Sequence, residues 1–153
     1  AVVLRGANHP PVADPDRCAA ILAGYEAAMP ANDLTRWQLE PPGFGCWVHT
    51  HGVDAALDTR NYADSVFEAA DAFGPDRFMA FYAGEAPCPG CPNRCIKRFA
   101  GPGDDARSGG LHQELPGTLG PNCGVADLEA IFRANVLCND LGLDPVSLGF
   151  TLS

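Results

Sequence analysis

Three cysteines fall within eight residues, Cys88-Pro-Gly-Cys-Pro-Asn-Arg-Cys95, at C-x2-C-x3-C spacing. Pro89 and Pro92 forbid a regular helix, and Gly90 lets the backbone fold back on itself. A tight non-helical loop of this kind is expected to aim three sulfurs at one point. Soft thiolates so gathered suit an iron–sulfur cluster or a zinc ion. Both want a fourth ligand, and no further cysteine follows at close spacing. Metal binding by Cys88, Cys91 and Cys95 is the reading these residues support, against three unrelated thiols in a turn.

Other residues invite a chemical reading with less support. Cys46-Trp-Val-His-Thr-His51 carries two histidines that would share one side of an extended strand. With Cys46 they could ligate a metal, although such a pair is more often structural or a substrate contact. In Ile96-Lys-Arg-Phe99, read as a short strand, Lys97 and Arg98 either offset the charge of a cluster or are solvated cations. The sequence leaves the two equal. No dinucleotide fingerprint, Walker loop or nucleophile elbow is present.

The elements that must position the thiols are helices. Asp14-Pro15 is a helix start, and Ile21, Leu22, Tyr25 and Met29 repeat at helical spacing, predicting an amphipathic helix over 14–29. Leu34–Leu39 reads as a short helical turn and Pro41–Gly45 as a loop. Asp58–Asn61 is a polar turn. Helices are expected over 62–73 and 75–84, with Phe78, Phe81 and Tyr82 in the core and Gly84 as a cap. Gly101–Gly110 is a loop, and the segment through Leu119–Gly124 bends the backbone. The clearest periodicity runs from about Ala126 to Asp140, with Leu128, Ile131, Phe132, Asn135 and Cys138 on one face. Gly142 follows as its terminal glycine, and Asp144-Pro145 starts another helix. The fold class expected is all-α, multihelical, with long Gly/Pro-rich loops and little strand.

Composition agrees. A chain of 153 residues fits one domain with a sizeable core, and 17 glycines with 14 prolines imply long loops without a disordered composition. The net charge of −9 argues against a nucleic-acid surface. No apolar run approaches a membrane span, so no membrane partner and a soluble protein are expected. Seven clustered cysteines do not resemble a secreted disulfide framework; a reducing, cytoplasmic compartment is expected. The run Ala1–Leu4 at one end and Gly149–Ser153 at the other look cut, as in a piece of a longer protein.

Several landmarks occur in a recognisable order: the cysteine loop, Glu114, Leu119-Gly-Pro-Asn-Cys-Gly124, Asp127–Ala130, Ala134-Asn135 and Cys138-Asn-Asp-Leu-Gly-Leu-Asp144. Ala1–Gly6, Val12–Arg17 and Leu57-Asp-Thr-Arg-Asn61 precede them. Together they resemble the tungsten-containing aldehyde ferredoxin oxidoreductase family over essentially the whole chain.

The resemblance implies the first helical domain of a longer enzyme, lacking a β domain and a second helical domain. It implies that Cys88, Cys91 and Cys95 hold three corners of a [4Fe–4S] cluster whose fourth thiolate comes from the later domain. It also implies that Asn139, Gly142, Leu143 and Asp144 contact one pterin of a tungsten (or molybdenum) bis-pterin centre. Asn139 stands where the family usually has Asp, and an amide accepts a hydrogen bond without the strengthening charge. Glu114 matches the family's carboxylate near the metal, with His112 in place of a first acid; it would be catalytic rather than a surface acid. Cys18, Cys46, Cys123 and Cys138 are read as buried or structural thiols. Arg133–Val136 lacks the ligands of an interface iron found in some relatives, so none is expected. The partners implied are an aldehyde, ferredoxin or another electron acceptor, and the missing domains. The isolated chain is expected to be inactive; a non-enzymatic metal-binding or electron-transfer module is the alternative from another class.

Overall fold

The computed structural model describes residue 6 and residues 10–101 and 110–153. The expectations for Ala1–Leu4 and for most of the Gly101–Gly110 loop lie outside them. Helices dominate: α1 (Pro15–Ala28), α2 (Asp33–Leu39), α3 (Trp47–Val53), α4 (Pro75–Met79), α5 (Glu114–Leu119), α6 (Leu128–Leu141) and α7 (Pro145–Leu152). One two-stranded antiparallel sheet, β1 (Tyr82–Glu85) with β2 (Lys97–Phe99), completes the described elements. No helix among the described residues is long and apolar enough to cross a membrane.

Local signals set most helix ends. Asp14, Asn32, Asp127 and Asp144 each accept a hydrogen bond from a first-turn backbone N–H through the side chain, capping α1, α2, α6 and α7. The face expected on α6 is the face that is buried: Leu128, Ile131, Phe132, Asn135 and Cys138. Phe132 forms the centre of an aromatic cluster. It stacks on Phe99 at 5.4 Å and meets Phe78 and Phe81 edge-on at 5.9 and 5.2 Å. Since Phe99 lies in β2 and Phe78 in α4, this cluster fastens the hairpin to the helices.

Four expectations are corrected. The segment 62–73 is not a helix. Arg60, Asn61 and Tyr62 all take positive φ, and the Asp64 carboxylate accepts from the Ser65 and Val66 N–H groups, so local turn bonds win until a 3₁₀ turn at Ala70–Phe73. The predicted helix 75–84 stops at Met79, because Tyr82–Glu85 pairs with Lys97–Phe99 and tertiary pairing overrides the local pattern. Gly84 is therefore a strand residue at φ +120°, at a bulge, rather than a helix cap. Cys46–His51 is not extended: a 3₁₀ turn at Gly43–Cys46, which begins inside the expected Pro41–Gly45 loop, runs straight into α3. Finally, α1 forms where expected but buries none of its residues, and Ile21, Leu22 and Tyr25 are exposed. Helix α5 was not expected from the sequence.

Two outcomes follow from this core. Phe132→Ala should lower the unfolding free energy by about 3–5 kcal/mol, read by urea denaturation. Burial pushes the Cys46 thiol up to about 11, partly countered by its own backbone hydrogen bond. The folded state thus resists ionisation that the unfolded chain undergoes near pH 9. Stability should be level below that value and fall by about 1.4 kcal/mol per pH unit above it until the folded thiol itself titrates. Denaturation curves across this alkaline window, compared with Cys46→Ala, measure it.

Candidate metal and cofactor site

The cysteine loop is the connection between the two strands of the hairpin. The ladder continues one step past β1, with Ala86 N–H donating to Ile96 C=O at 3.0 Å, so the loop leaves from a paired base. Cys91 N–H then donates to Cys88 C=O at 3.0 Å, closing a turn with Pro89 second and Gly90 third at φ +72°. Only a residue that tolerates the left-handed region fits that third place. Arg94, at φ +43°, makes a second reversal just before Cys95.

The loop is tied down from below. Lys97, the first residue of β2, is fully buried, and its Nζ donates to Leu39 C=O and Arg94 C=O, each at 2.8 Å. The Glu85 carboxylate lies 3.4 Å from the same ammonium and 3.4 Å from Arg94 Nη1. Asn93 Nδ2 donates to Gln38 Oε1 at 2.9 Å, adding a second tie to α2. Lys97 is therefore not a solvated cation. Its stem reaches its pocket only because residue 43 is glycine: a Cβ there would lie 2.6 Å from Lys97 Cγ.

The three thiols share this loop, with Cys88 exposed and Cys91 and Cys95 half-buried. Among the described residues, however, no three His, Cys, Asp or Glu side chains close on one metal-sized point. Burial pushes the Cys95 thiol up; its own backbone hydrogen bond pulls it back, nearby Cys91 and Cys88 raise it, and Lys97 lowers it. Three soft thiols on one short turn beside a buried cation are the kind of donor set that iron–sulfur clusters take.

The Lys97 backbone links this loop to Glu114. Leu111 N–H donates to Lys97 C=O at 3.0 Å, fixing the chain three residues before α5. Glu114 opens α5 half-exposed, with Oε2 paired to His112 Nδ1, while the His112 ring packs on Phe44 at 4.3 Å. Glu114 also lines a cavity shared with His51 and Asp58. The two histidines of α3 part company: His49 Nε2 faces Asp71 at 3.4 Å, while His51 turns to the cavity. Cys46 is buried with its Sγ on Gly43 C=O at 3.2 Å, so the possible Cys46–His49–His51 ligand set is not assembled. His51 and Asp58 were not singled out together because α3 was read as a strand; a helical reading would have put His51 one turn beyond Trp47, whose ring it meets at 5.9 Å.

At the far end, α6 stops in a Schellman turn. Leu143 N–H donates to Cys138 C=O at 2.8 Å, Gly142 N–H donates to Asn139 C=O at 3.3 Å, and Gly142 sits at φ +70°. Asn139, Gly142, Leu143 and Asp144 are all exposed. Asp144 Oδ2 accepts from Ser147 N–H and Oγ, and these bonds hold its carboxyl below the usual range. Asn139 Nδ2 donates to Asn135 Oδ1 at 3.4 Å.

If Lys97 supports the loop, Lys97→Met should cost about 3 kcal/mol, since it strands two carbonyls and Glu85 around an apolar tip. Alkylation of Cys95 in the native state should also quicken. Urea denaturation and timed thiol labelling check both, and an unchanged midpoint would contradict the role.

A sequence profile described as "Aldehyde ferredoxin oxidoreductase, domains 2 & 3" matches residues 21–153. Among curated proteins, the chain is 27% identical over 154 residues to the tungsten-containing aldehyde ferredoxin oxidoreductase of Thermococcus kodakarensis. It is 26% identical over 156 residues to that of Pyrococcus furiosus and 28% over 154 to that of Pyrococcus abyssi. Each alignment takes in 100% of this chain and 25% of the relative, so the chain spans about a quarter of the length of the curated relatives it matches. With the profile covering residues 21–153 of the 153, the chain belongs to the aldehyde ferredoxin oxidoreductase family.

Proposed function

We propose that this chain is the first helical domain of an enzyme that oxidises an aldehyde to a carboxylic acid at a tungsten (or molybdenum) bis-pterin centre. The overall change, RCHO and water to RCOO⁻ with two electrons and three protons, would deliver its electrons to ferredoxin or another acceptor through a [4Fe–4S] cluster. When bound, the pterin-held metal supplies the two-electron redox chemistry and the cluster the electron exit. The observation that carries the reading is the Cys88–Cys95 loop, three thiols on one pinned turn in a chain of this family.

The residues of this chain would divide the remaining work. Cys88, Cys91 and Cys95 would hold three corners of the cluster as thiolates, with Lys97 offsetting negative charge from beneath. Asp144 Oδ1 and the Asn139 amide oxygen would accept hydrogen bonds from pterin N–H groups. The Gly142 turn keeps side-chain bulk out of that contact. Glu114, with Oε2 already on His112, would use Oε1 to take a proton from the water that adds to the aldehyde carbonyl.

The intact protein should contain tungsten or molybdenum by elemental analysis, and absence of both would overturn the proposal. Glu114→Gln keeps the shape but removes the base. It should lower kcat by about a hundredfold or more while leaving metal content unchanged. Unchanged turnover would remove Glu114 from the reaction.

A further inference from the structure

A cavity of about 160 Å³ opens between α3, α5 and α7 beside Glu114. We propose that it seats the apolar group of the substrate, and that the preferred aldehydes carry a single aromatic ring or a compact branched chain. This rests on the function proposed above and narrows its substrate class.

One side is apolar, with Val48 from α3, Leu57 from the turn after it, and Val146 and Phe150 from α7; His51, Asp58, Gln113, Glu114 and Thr118 make the other side polar. An enclosed apolar cavity of about 150 Å³ accepts benzene, so the volume here is enough for one ring against the apolar side. It is open because residue 117 has no side chain. A Cβ at Gly117 would stand 3.9 Å from Val48 Cγ2, in ordinary contact, and any larger group would grow into the cavity. Gly117 lies in α5, where it weakens the helix relative to alanine, so its presence favours space over helix strength.

The polar atoms are placed for a neutral ligand. Asp58 and Glu114 both line the cavity, so an aldehyde enters without charge repulsion while its carboxylate product is disfavoured. Gln113 lines it too, and its Oε1 is buried without a donor, ready for a ligand hydroxyl. The walls join two elements of the proposed site. Glu114 starts α5, and Val146 and Phe150 belong to α7, the helix that Asp144 caps.

The test uses the intact protein. Isothermal titration with benzyl alcohol, a ring with one hydroxyl, should show binding at least tenfold tighter than with benzoate. Gly117→Leu should weaken benzyl alcohol at least tenfold and lower the kcat/KM ratio of benzaldehyde to acetaldehyde by a similar factor. Should that variant fail to fold, Phe150→Ala serves instead, since Phe150 is 40% exposed. It should raise the ratio of naphthaldehyde to benzaldehyde. Benzyl alcohol affinity indifferent to residue 117, or aldehyde preference indifferent to residues 117 and 150, overturns the pocket alone. No turnover of any aldehyde overturns the proposed function, and the substrate assignment with it.

Discussion

The buried ammonium of Lys97 is the constraint on which the rest of the site depends. A lysine with no exposed surface is costly unless its charge is paired and its protons are all used. Here two carbonyls and one carboxylate take them, and the three partners belong to α2, the cysteine loop and β1. Removing the ammonium would unlink those three pieces together. Its backbone carbonyl meanwhile holds Leu111, and through it the start of α5. One residue thus joins the metal-ligand loop to the carboxylate proposed for proton transfer.

The second support is aromatic. Phe99 of β2 stacks on Phe132 of α6, so the strand carrying Lys97 is anchored to the helix whose far end carries Asn139 and Gly142. Between these anchors, α7 lies close against α5 because Gly149 leaves room for Thr118; a Cβ at 149 would come within 2.6 Å of Thr118 Cβ.

Where the sequence signal was local, it was readable. Capping aspartates, the Schellman glycine and the Pro-Gly turn between Cys88 and Cys91 all follow from bonds within a few residues. The mostly α fold follows as well. Misread segments were those decided by distant partners. Tyr82–Glu85 has helical neighbours but pairs with β2, and α3 alternates like a strand but continues a 3₁₀ turn. The apolar stripe of α1 was legible as a helix, yet nothing local says whether a partner covers it, and in this chain its face is open. Lys97 shows the same limit in the site. Its burial needs Gly43, Leu39 and Glu85, and none of those relations is visible in a cysteine motif.

The central claim is that Cys88, Cys91 and Cys95 hold an iron–sulfur cluster. Iron content and visible absorbance of the anaerobically purified intact protein, beside its Cys91→Ser variant, test it most directly. The account predicts about four irons per chain with a broad cluster absorbance, both largely lost in the variant. Iron and colour that survive Cys91→Ser intact, or zinc in place of iron, would contradict it.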